Sequence, residues 1–280
     1  MDAERLTPVE IHEGIYTKRD DLYVPFGEKT VNGGKLRQCF LLVQEIKKEK
    51  YSGLISCCSI YSPQAPITAA VGNYFNLPTK ILYGATNYHN LRRLKMPRIA
   101  KSYGAEICIA SKSGIHKILY EKAREIAKKE NLFVVDYGFN IIDYPDLMFK
   151  AISRQVRNIP DELDNLVITC GSGITSIGII LGIHQYKKHV KKIYLIATAP
   201  SRRNLIDKTL RMYGIEQEYK IIDLFHQKGF KYEKGLNEKI DGIKLHPQYE
   251  AKAYRWIKEN LPINERNLLW IVGSKPEKGR

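Results

Sequence analysis

The sequence lacks the features that mark several large classes of protein. It has no apolar run near the roughly 18 residues that a membrane span requires, and its opening residues, MDAERLTPVE, are too polar for a secretory signal. Its five cysteines are an odd number and include no CxxC pair, and its seven histidines form no pair with metal-ligand spacing. We therefore expect a cytoplasmic protein with reduced thiols, no membrane segment and no metal site.

Acidic residues are scarce relative to basic ones. Lys and Arg number 45 against 30 Asp and Glu, which gives a formal net charge of +15. This excess is compatible with nucleic acid, an anionic substrate or phosphate as a partner. The basic residues are spread along the chain rather than gathered in one arm, which argues against a dedicated nucleic-acid tail. A lysine-rich surface without an anionic partner is the alternative that charge alone leaves open.

Short apolar stretches alternate with segments of helical periodicity along the 280 residues. Strands are predicted at 51–59, 79–85, 106–111, 132–138, 165–171, 191–199 and 267–274. Helices are predicted at 36–50, 66–77, 91–105, 118–131, 147–159, 174–188, 204–214 and 249–261, with Pro97 inside or dividing the third. Strands separated by helices of this length predict an α/β protein with parallel sheets.

Two glycine turns precede predicted helices. The first, VNGGKLRQ (31–38), sets Lys35 directly after two glycines, and a turn with a solvated lysine is its ordinary interpretation. The second, NLVITCGSGITSIG (165–178), runs a strand through glycines into a helix, where backbone N–H groups can converge on a phosphate. It matches neither the Walker A pattern nor GxGxxG. A packing turn of small residues is the alternative for the second turn.

Four segments together resemble one family in order and spacing. They are KRDDLYVPFG with NGGKLRQ, then SCCSIYSPQAPITAAVG, then CGSGITSIG, then HPQYEAKA. They are similar to segments of the tryptophan-synthase-β-like, or fold type II, pyridoxal phosphate (PLP) enzymes, nearest to the branch of aminocyclopropane-carboxylate deaminase and D-cysteine desulfhydrase. The resemblance implies two parallel-sheet α/β domains with the cofactor in the interdomain cleft. The large PLP-binding domain would comprise 1–50 and 141–280, and a small inserted domain would comprise 51–140.

The resemblance implies which residues bind the cofactor. Lys35, which follows the glycine turn, would form the Schiff base with PLP. Glu250 would partner the pyridine nitrogen, and Ser274 would supply a polar group at the end of the last strand. The phosphate-binding loop would comprise Gly171, Ser172, Gly173 and Thr175. A lysine is nucleophilic only when it is deprotonated, so a desolvated turn against a helix N-terminus suits this role.

The resemblance places Ser62 and Tyr249 against the substrate, with Tyr232 as a weaker candidate for a second tyrosine. Pro63 stands where the family has an asparagine, so the substrate is less firmly implied than the cofactor. We expect a homodimeric PLP-dependent enzyme acting at Cα of a small amino-acid-like substrate, by elimination, deamination or another lyase reaction through the Lys35 Schiff base. The alternative is a PLP-dependent enzyme that modifies an amino acid or amine attached to DNA or RNA. A degenerate protein that binds without catalysis is a third interpretation.

Overall fold

The computed structural model describes residues 3–27, 30–112, 114–139, 145–229, 231–232 and 234–273. The chain forms two compact units, one comprising Val24–Pro145 and the other Asp2–Tyr23 with Asp146–Lys275. We call them the first and the second unit. None of the described helices has the length and apolar character needed to cross a membrane.

The strands and helices alternate over most of the chain. The strands are β1 (Val9–His12), β2 (Ile15–Arg19), β3 (Gly53–Cys57), β4 (Thr79–Gly84), β5 (Glu106–Ser111), β6 (Leu132–Val135), β7 (Glu162–Cys170), β8 (His189–Ala197), β9 (Lys220–Asp223), β10 (Lys239–Ile240), β11 (Ile243–Lys244) and β12 (Asn267–Ile271). The helices are α1 (Gly34–Ile46), α2 (Gln64–Tyr74), α3 (Tyr88–Arg93), α4 (Lys95–Ser102), α5 (His116–Glu130), α6 (Pro145–Ser153), α7 (Ile174–Gln185), α8 (Arg203–Met212) and α9 (Glu250–Asn260).

The first unit is built on a four-stranded sheet in the order β5-β4-β3-β6, and all its neighbouring strands are parallel. Alternate residues of β4 face opposite sides of this sheet, as the period of two requires. Ile81 and Tyr83 pack in a cluster with α2 and α4, whereas Leu82 packs in a second cluster with Leu119 of α5. Helices therefore cover both faces, as is usual for a parallel sheet.

The second unit is built on a six-stranded sheet in the order β1-β2-β12-β7-β8-β9. Strand β1 pairs antiparallel with β2, and every other neighbouring pair is parallel. Val167 of β7 and Leu269 of β12 pack with Tyr254 and Ile257 of α9 in one buried cluster. The carboxyl ends of the adjacent strands β7, β8 and β12 lie along one edge of the sheet, which is where open α/β sheets bind ligands.

The predicted α/β class with parallel sheets is confirmed, and each predicted strand and helix has a counterpart. The helix predicted at 91–105 is divided at Leu94, whose ψ of 146° is extended, and Pro97 lies in the first turn of α4. Proline is tolerated there because first-turn N–H groups have no partner within the helix. The residues of the helix predicted at 147–159 are α6 followed by a 3-10 turn, Arg154–Asn158.

The first boundary of the two units differs from that of the predicted domains. The inserted domain was predicted to begin at residue 51, whereas the first unit begins at Val24 and includes α1. Within this unit the ring of Phe40 on α1 lies 5.6 Å from Tyr74 and 5.1 Å from Phe75. Lys35 therefore belongs to the same compact unit as the sheet β5-β4-β3-β6. The predicted domain bounds, 1–50 with 141–280 and 51–140, stay a prediction.

Candidate functional site

Lys35 lies in the first turn of α1, where a glycine starts the helix. Gly33 has φ +95°, a left-handed value that glycine adopts without strain, and Gly34 is the first helical residue. The Lys35 side chain is half-buried, and its Nζ donates a hydrogen bond of 3.4 Å to the carbonyl oxygen of Gly138. The amine is thus held by backbone instead of projecting freely into water, as an isolated GGK turn would suggest.

The side chain of Gln64 fixes the backbone that contacts Lys35. Gln64, the first residue of α2, is buried, and its Oε1 accepts a hydrogen bond from the Gly138 N–H at 2.9 Å. Its Nε2 donates to the carbonyl oxygen of Asp136 at 2.8 Å and to Ser56 Oγ at 2.9 Å. Ser56 Oγ in turn donates to the carbonyl oxygen of Val135. Gln64 therefore bridges β3 and the turn after β6, and positions Gly138.

Ser62 lies just before α2 and is 8% exposed. Its Oγ accepts a hydrogen bond of 3.2 Å from the Gln64 N–H, and its own N–H donates to the carbonyl oxygen of Ser59. Pro63 occupies the position between Ser62 and Gln64 and offers no N–H. The oxygen of the predicted substrate-facing serine thus accepts a hydrogen bond at the N-terminus of α2, and its hydroxyl hydrogen can still be donated to a ligand.

The predicted phosphate loop joins β7 to α7 in the second unit. Gly173 has φ +87° and precedes the first residue of α7, while Gly171 follows the last residue of β7. A Cβ on Gly173 would lie 3.2 Å from Arg202 Cβ, whereas a Cβ on Gly171 would meet nothing within 4 Å. Thr175 is buried in the first turn of α7. The first N–H groups of a helix have no partner within it, so the start of α7 can bind an anion.

Three buried hydroxyl groups near the carboxyl ends of β7 and β8 and the start of α7 have no hydrogen-bond partner among the described residues. They belong to Thr169 on β7, Ser176 on α7 and Thr198, which follows β8. Thr198 N–H donates to the carbonyl oxygen of Cys170 at 3.2 Å, which sets it beside the end of β7. Buried hydroxyl groups ordinarily have partners, so these three can donate to a ligand at this edge of the sheet. This donor set fits a phosphate group.

Glu250 is a buried carboxyl group at the N-terminus of α9. Its Oε1 accepts a hydrogen bond of 3.2 Å from the Val272 N–H, just after β12, and its Oε2 has no partner among the described residues. Burial raises the pKa of Glu250 to about 8, and the negative charge of Asp21 acts in the same direction. A carboxyl group in this state can share a proton with a buried heterocyclic nitrogen, which fits the pyridine ring of PLP.

Tyr249 precedes α9 and contacts Tyr232. The two hydroxyl oxygens lie 2.5 Å apart, and the Tyr249 ring lies 4.8 Å from the ring of His246. The tyrosine that the sequence named as a weaker candidate is thus in direct contact with the stronger one. Ser274, predicted to face the cofactor, lies outside the described residues.

Sequence reasoning missed Gln64 and the three hydroxyl groups. Gln64 stands in the quoted segment SCCSIYSPQAPITAAVG, yet its hydrogen bonds go to backbone atoms some 70 residues away, and no local pattern reports them. Thr169 and Thr198 could have been found, because polar residues at the carboxyl ends of predicted adjacent parallel strands are candidates for a binding edge.

Comparisons with known proteins bear on the fold and on the cofactor class. No family model matches the chain. An O-seryl-dTMP PLP-dependent decarboxylase of Salmonella phage ViI is 26% identical over 98% of this chain and 81% of its own length. A putative 1-aminocyclopropane-1-carboxylate deaminase of Thermotoga maritima is 27% identical over 92% of this chain and 87% of its own length. A crystal structure of an ACC deaminase homologue superposes with a TM-score of 0.76, at 20% identity, over 98% of this chain and 90% of that one.

These matches bear on the resemblance drawn from the four motifs. Two comparisons by sequence and one by structure reach nearly the whole chain, so the likeness is not confined to the glycine turns. The resemblance is confirmed: this chain has the fold of the fold type II PLP enzymes, and its relatives are PLP-dependent enzymes that include the aminocyclopropane-carboxylate deaminases.

Proposed function

We propose that this chain is a PLP-dependent enzyme that acts at Cα of an amino-acid substrate and that Lys35 is the residue that binds the cofactor covalently. The observation that carries the proposal is the position of Lys35 Nζ. It is half-buried at the start of α1 and is held by the Gly138 carbonyl oxygen. Schiff-base formation requires the neutral form of a lysine amine, which is its nucleophilic form.

The residues of the chain supply distinct parts of the proposed site. The N–H groups of the Gly171–Thr175 loop bind the phosphate, together with the hydroxyl groups of Thr169, Ser176 and Thr198. The buried carboxyl of Glu250 shares a proton with the pyridine nitrogen through Oε2. PLP, when bound, withdraws electrons from Cα of the substrate. Lys35 Nζ takes up and returns the proton at Cα, and Ser62 and Tyr249 orient the substrate.

Exchange of the Cα hydrogen tests this proposal. The PLP-loaded protein is incubated with small D- and L-amino acids in deuterated water, and loss of the Cα proton signal is followed by NMR. We expect exchange with the native protein and none with Lys35→Ala. Lys50→Ala, at an exposed lysine beyond α1, is the matched control and should exchange at the native rate. If Lys35→Ala exchanges as fast as the native protein, the assignment of Lys35 is wrong.

A second candidate is an enzyme that acts on an amino acid attached to nucleic acid or to a nucleotide. Two observations favour it: the relative from Salmonella phage ViI is an O-seryl-dTMP decarboxylase, and the chain carries a net charge of +15. Pro63 also removes one N–H donor from the loop that holds a free amino acid's carboxylate in the resembling family. Each of these features concerns the substrate, and none bears on the cofactor residues.

A comparison of two substrates separates the candidates. The PLP-loaded protein is incubated with free serine or with O-seryl-dTMP, and the products are identified by mass spectrometry. Consumption of O-seryl-dTMP with free serine untouched would favour the second candidate. Consumption of free amino acids alone would support the first candidate and contradict the second. Inorganic phosphate added in excess controls for simple competition by a dianion.

We also propose a homodimer and a cytoplasmic location. The five free cysteines support a reducing compartment, and four of them are buried. Light scattering during size-exclusion chromatography would measure the oligomeric state, and a mass of one chain across a range of concentrations would contradict the dimer.

A further inference from the structure

A basic groove lies in the second unit, along the segment that follows β9 and against α9. Its volume is about 520 Å³. Of the described residues that line it, five are cationic and one, Glu259, is acidic. The cationic residues are Lys228, Lys231, Lys234, Lys252 and Arg255. We call this set the basic groove. Such an excess of one sign within a concave surface focuses the electrostatic potential and favours a polyanionic ligand.

Three of the five cations are available to a ligand. Lys228, Lys231 and Lys234 are exposed, and none of them forms an ion pair with a described residue. Arg255 differs, because its Nη2 lies 2.5 Å from Glu238 Oε1. Three like charges within seven residues repel one another unless anions lie between them. Three exposed lysines at intervals of three residues can contact more than one phosphate of a polyanion.

Part of the lining of the basic groove is apolar and aromatic, and we call this part its floor. Leu224, Leu236 and Trp256 line it, and the Trp256 side chain is half-buried with its ring 4.8 Å from that of Tyr194. Cationic side chains and an aromatic ring in one groove are the combination that binds a nucleic-acid strand, because lysines contact phosphates while bases stack on aromatic rings. A phosphorylated small molecule would use the cations without needing this apolar floor.

The segment that supplies the three lysines also contacts the proposed catalytic site. Tyr232 is the immediate neighbour of Lys231, and its hydroxyl oxygen lies 2.5 Å from that of Tyr249. Adjacent Cα atoms are about 3.8 Å apart. On the other side of the groove, Lys252 lies two residues beyond Glu250 on α9. Lys231 of the basic groove thus adjoins a residue whose hydroxyl group contacts that of Tyr249.

We infer that the basic groove binds the sugar–phosphate backbone of a DNA strand. This inference rests on the second candidate of the proposed function, for which it supplies the surface that holds the nucleic acid while the attached amino acid reacts. The lysines contribute affinity without reading the base sequence, since contacts with phosphate carry no sequence information.

Salt-dependent binding of DNA tests the inference. Fluorescence anisotropy measures the affinity of the PLP-loaded protein for a labelled single-stranded oligonucleotide across a range of salt concentrations. The triple variant Lys228→Ala, Lys231→Ala, Lys234→Ala should bind more than about 10-fold more weakly at low salt. Its plot of log affinity against log salt should be less steep by about 2, because each lost phosphate contact on a single strand removes about 0.7 from the slope.

A control of equal charge separates the groove from the basic surface as a whole. Lys117→Ala, Lys128→Ala, Lys129→Ala removes three exposed lysines of α5, none of which pairs with a described acid. It should keep the native slope and lose less than about 3-fold in affinity. Equal losses in both triple variants would show diffuse binding by surface charge and would overturn the inference. Undetectable binding by the native protein would overturn it as well.

Two further readouts keep this result apart from the cofactor proposal. The absorbance of bound PLP should be the same in the native protein and in both triple variants. If the native protein binds DNA through the groove lysines but takes up no PLP, the proposed function is wrong while the inference about the basic groove is supported.

DNA should also quench Trp256 fluorescence, and Trp256→Phe should abolish that quenching, since Trp270 is fully buried. Quenching that persists in Trp256→Phe would contradict the aromatic floor.

Discussion

At the scale of single residues, Gln64 has the most demanding environment in the first unit. Its side-chain oxygen and nitrogen bind the backbone of Gly138 and Asp136, and the nitrogen also donates to Ser56 Oγ on β3. We regard it as a positioning residue, since it acts on the cofactor lysine through the Gly138 carbonyl oxygen. The Lys35–Gly138 contact of 3.4 Å is long, so the position of the turn decides whether the amine is held at all.

Gln64→Met should weaken the fold and loosen Lys35. The replacement has a similar shape but leaves the Gly138 N–H and the Asp136 carbonyl oxygen unsatisfied, at about 1–3 kcal/mol for each buried group. We expect urea unfolding to show a loss of about 2–4 kcal/mol, and PLP absorbance to develop more slowly upon addition of the cofactor. Gln44→Met, at an exposed position of α1, is the matched control. Native stability and native uptake in Gln64→Met would refute the positioning role.

Glu250 should give the chain without PLP a distinctive dependence on pH. Burial raises its pKa from 4.5 to about 8, so between these values the folded chain binds a proton that the unfolded chain has released. The free energy of unfolding must then fall as pH rises through that window, by at most about 1.4 kcal/mol per pH unit for one proton. The side chain of the Glu250→Gln variant cannot ionise. The substitution should therefore flatten the profile of unfolding free energy between pH 4.5 and about pH 8. An unchanged profile in urea titrations would show that Glu250 is ionised in the folded chain.

At the scale of elements, the β7–α7 loop combines two glycines with different requirements. Gly173 needs its left-handed backbone and lies against Arg202, while Gly171 has open space around its Cα. The loop therefore holds one glycine for its conformation and one whose lack of a side chain leaves room beside the backbone.

The two glycines should respond differently to alanine. Gly173→Ala places a Cβ at a φ of +87° and 3.2 Å from Arg202 Cβ, so we expect a loss of about 1–3 kcal/mol in the free energy of unfolding. Gly171→Ala meets no neighbour within 4 Å and should change stability by less than about 0.5 kcal/mol. Thermal and urea unfolding of both variants measure this difference. If Gly171→Ala is the more damaging of the two, the backbone geometry of the loop is not as described.

The sequence predicted the apolar strands and periodic helices well and the short strands of mixed polarity poorly. Helix α5 could be found because its apolar residues recur on one face, and β7 because it is a continuous apolar run. Strands β1 and β2 were missed because they are four and five residues long with mixed polarity, and they exist through pairing with each other and with β12. Division of the helix predicted at 91–105 was one of the two alternatives that Pro97 offered, and the break falls at Leu94, which leaves Pro97 in the first turn of α4.

At the scale of the whole molecule, sequence motifs identified the cofactor class more firmly than the substrate. The lysine turn and the phosphate loop are local, so a short segment contains all their information. The residues that would recognise a substrate are gathered from distant segments, as Tyr232 and Tyr249 are. Net charge suggested an anionic partner, but a sum over the chain could not indicate the basic groove, which three lysines within seven residues form together with α9.

The central claim is that Lys35 carries the cofactor, and chemical trapping tests it most directly. The PLP-loaded protein is treated with borohydride, digested and analysed by peptide mass spectrometry. We predict a reduced PLP adduct on the peptide that contains Lys35 and no adduct in Lys35→Ala. Lys50→Ala should be labelled like the native protein. An adduct on a different lysine in the native protein, or an equal yield of adduct in Lys35→Ala, would contradict the account.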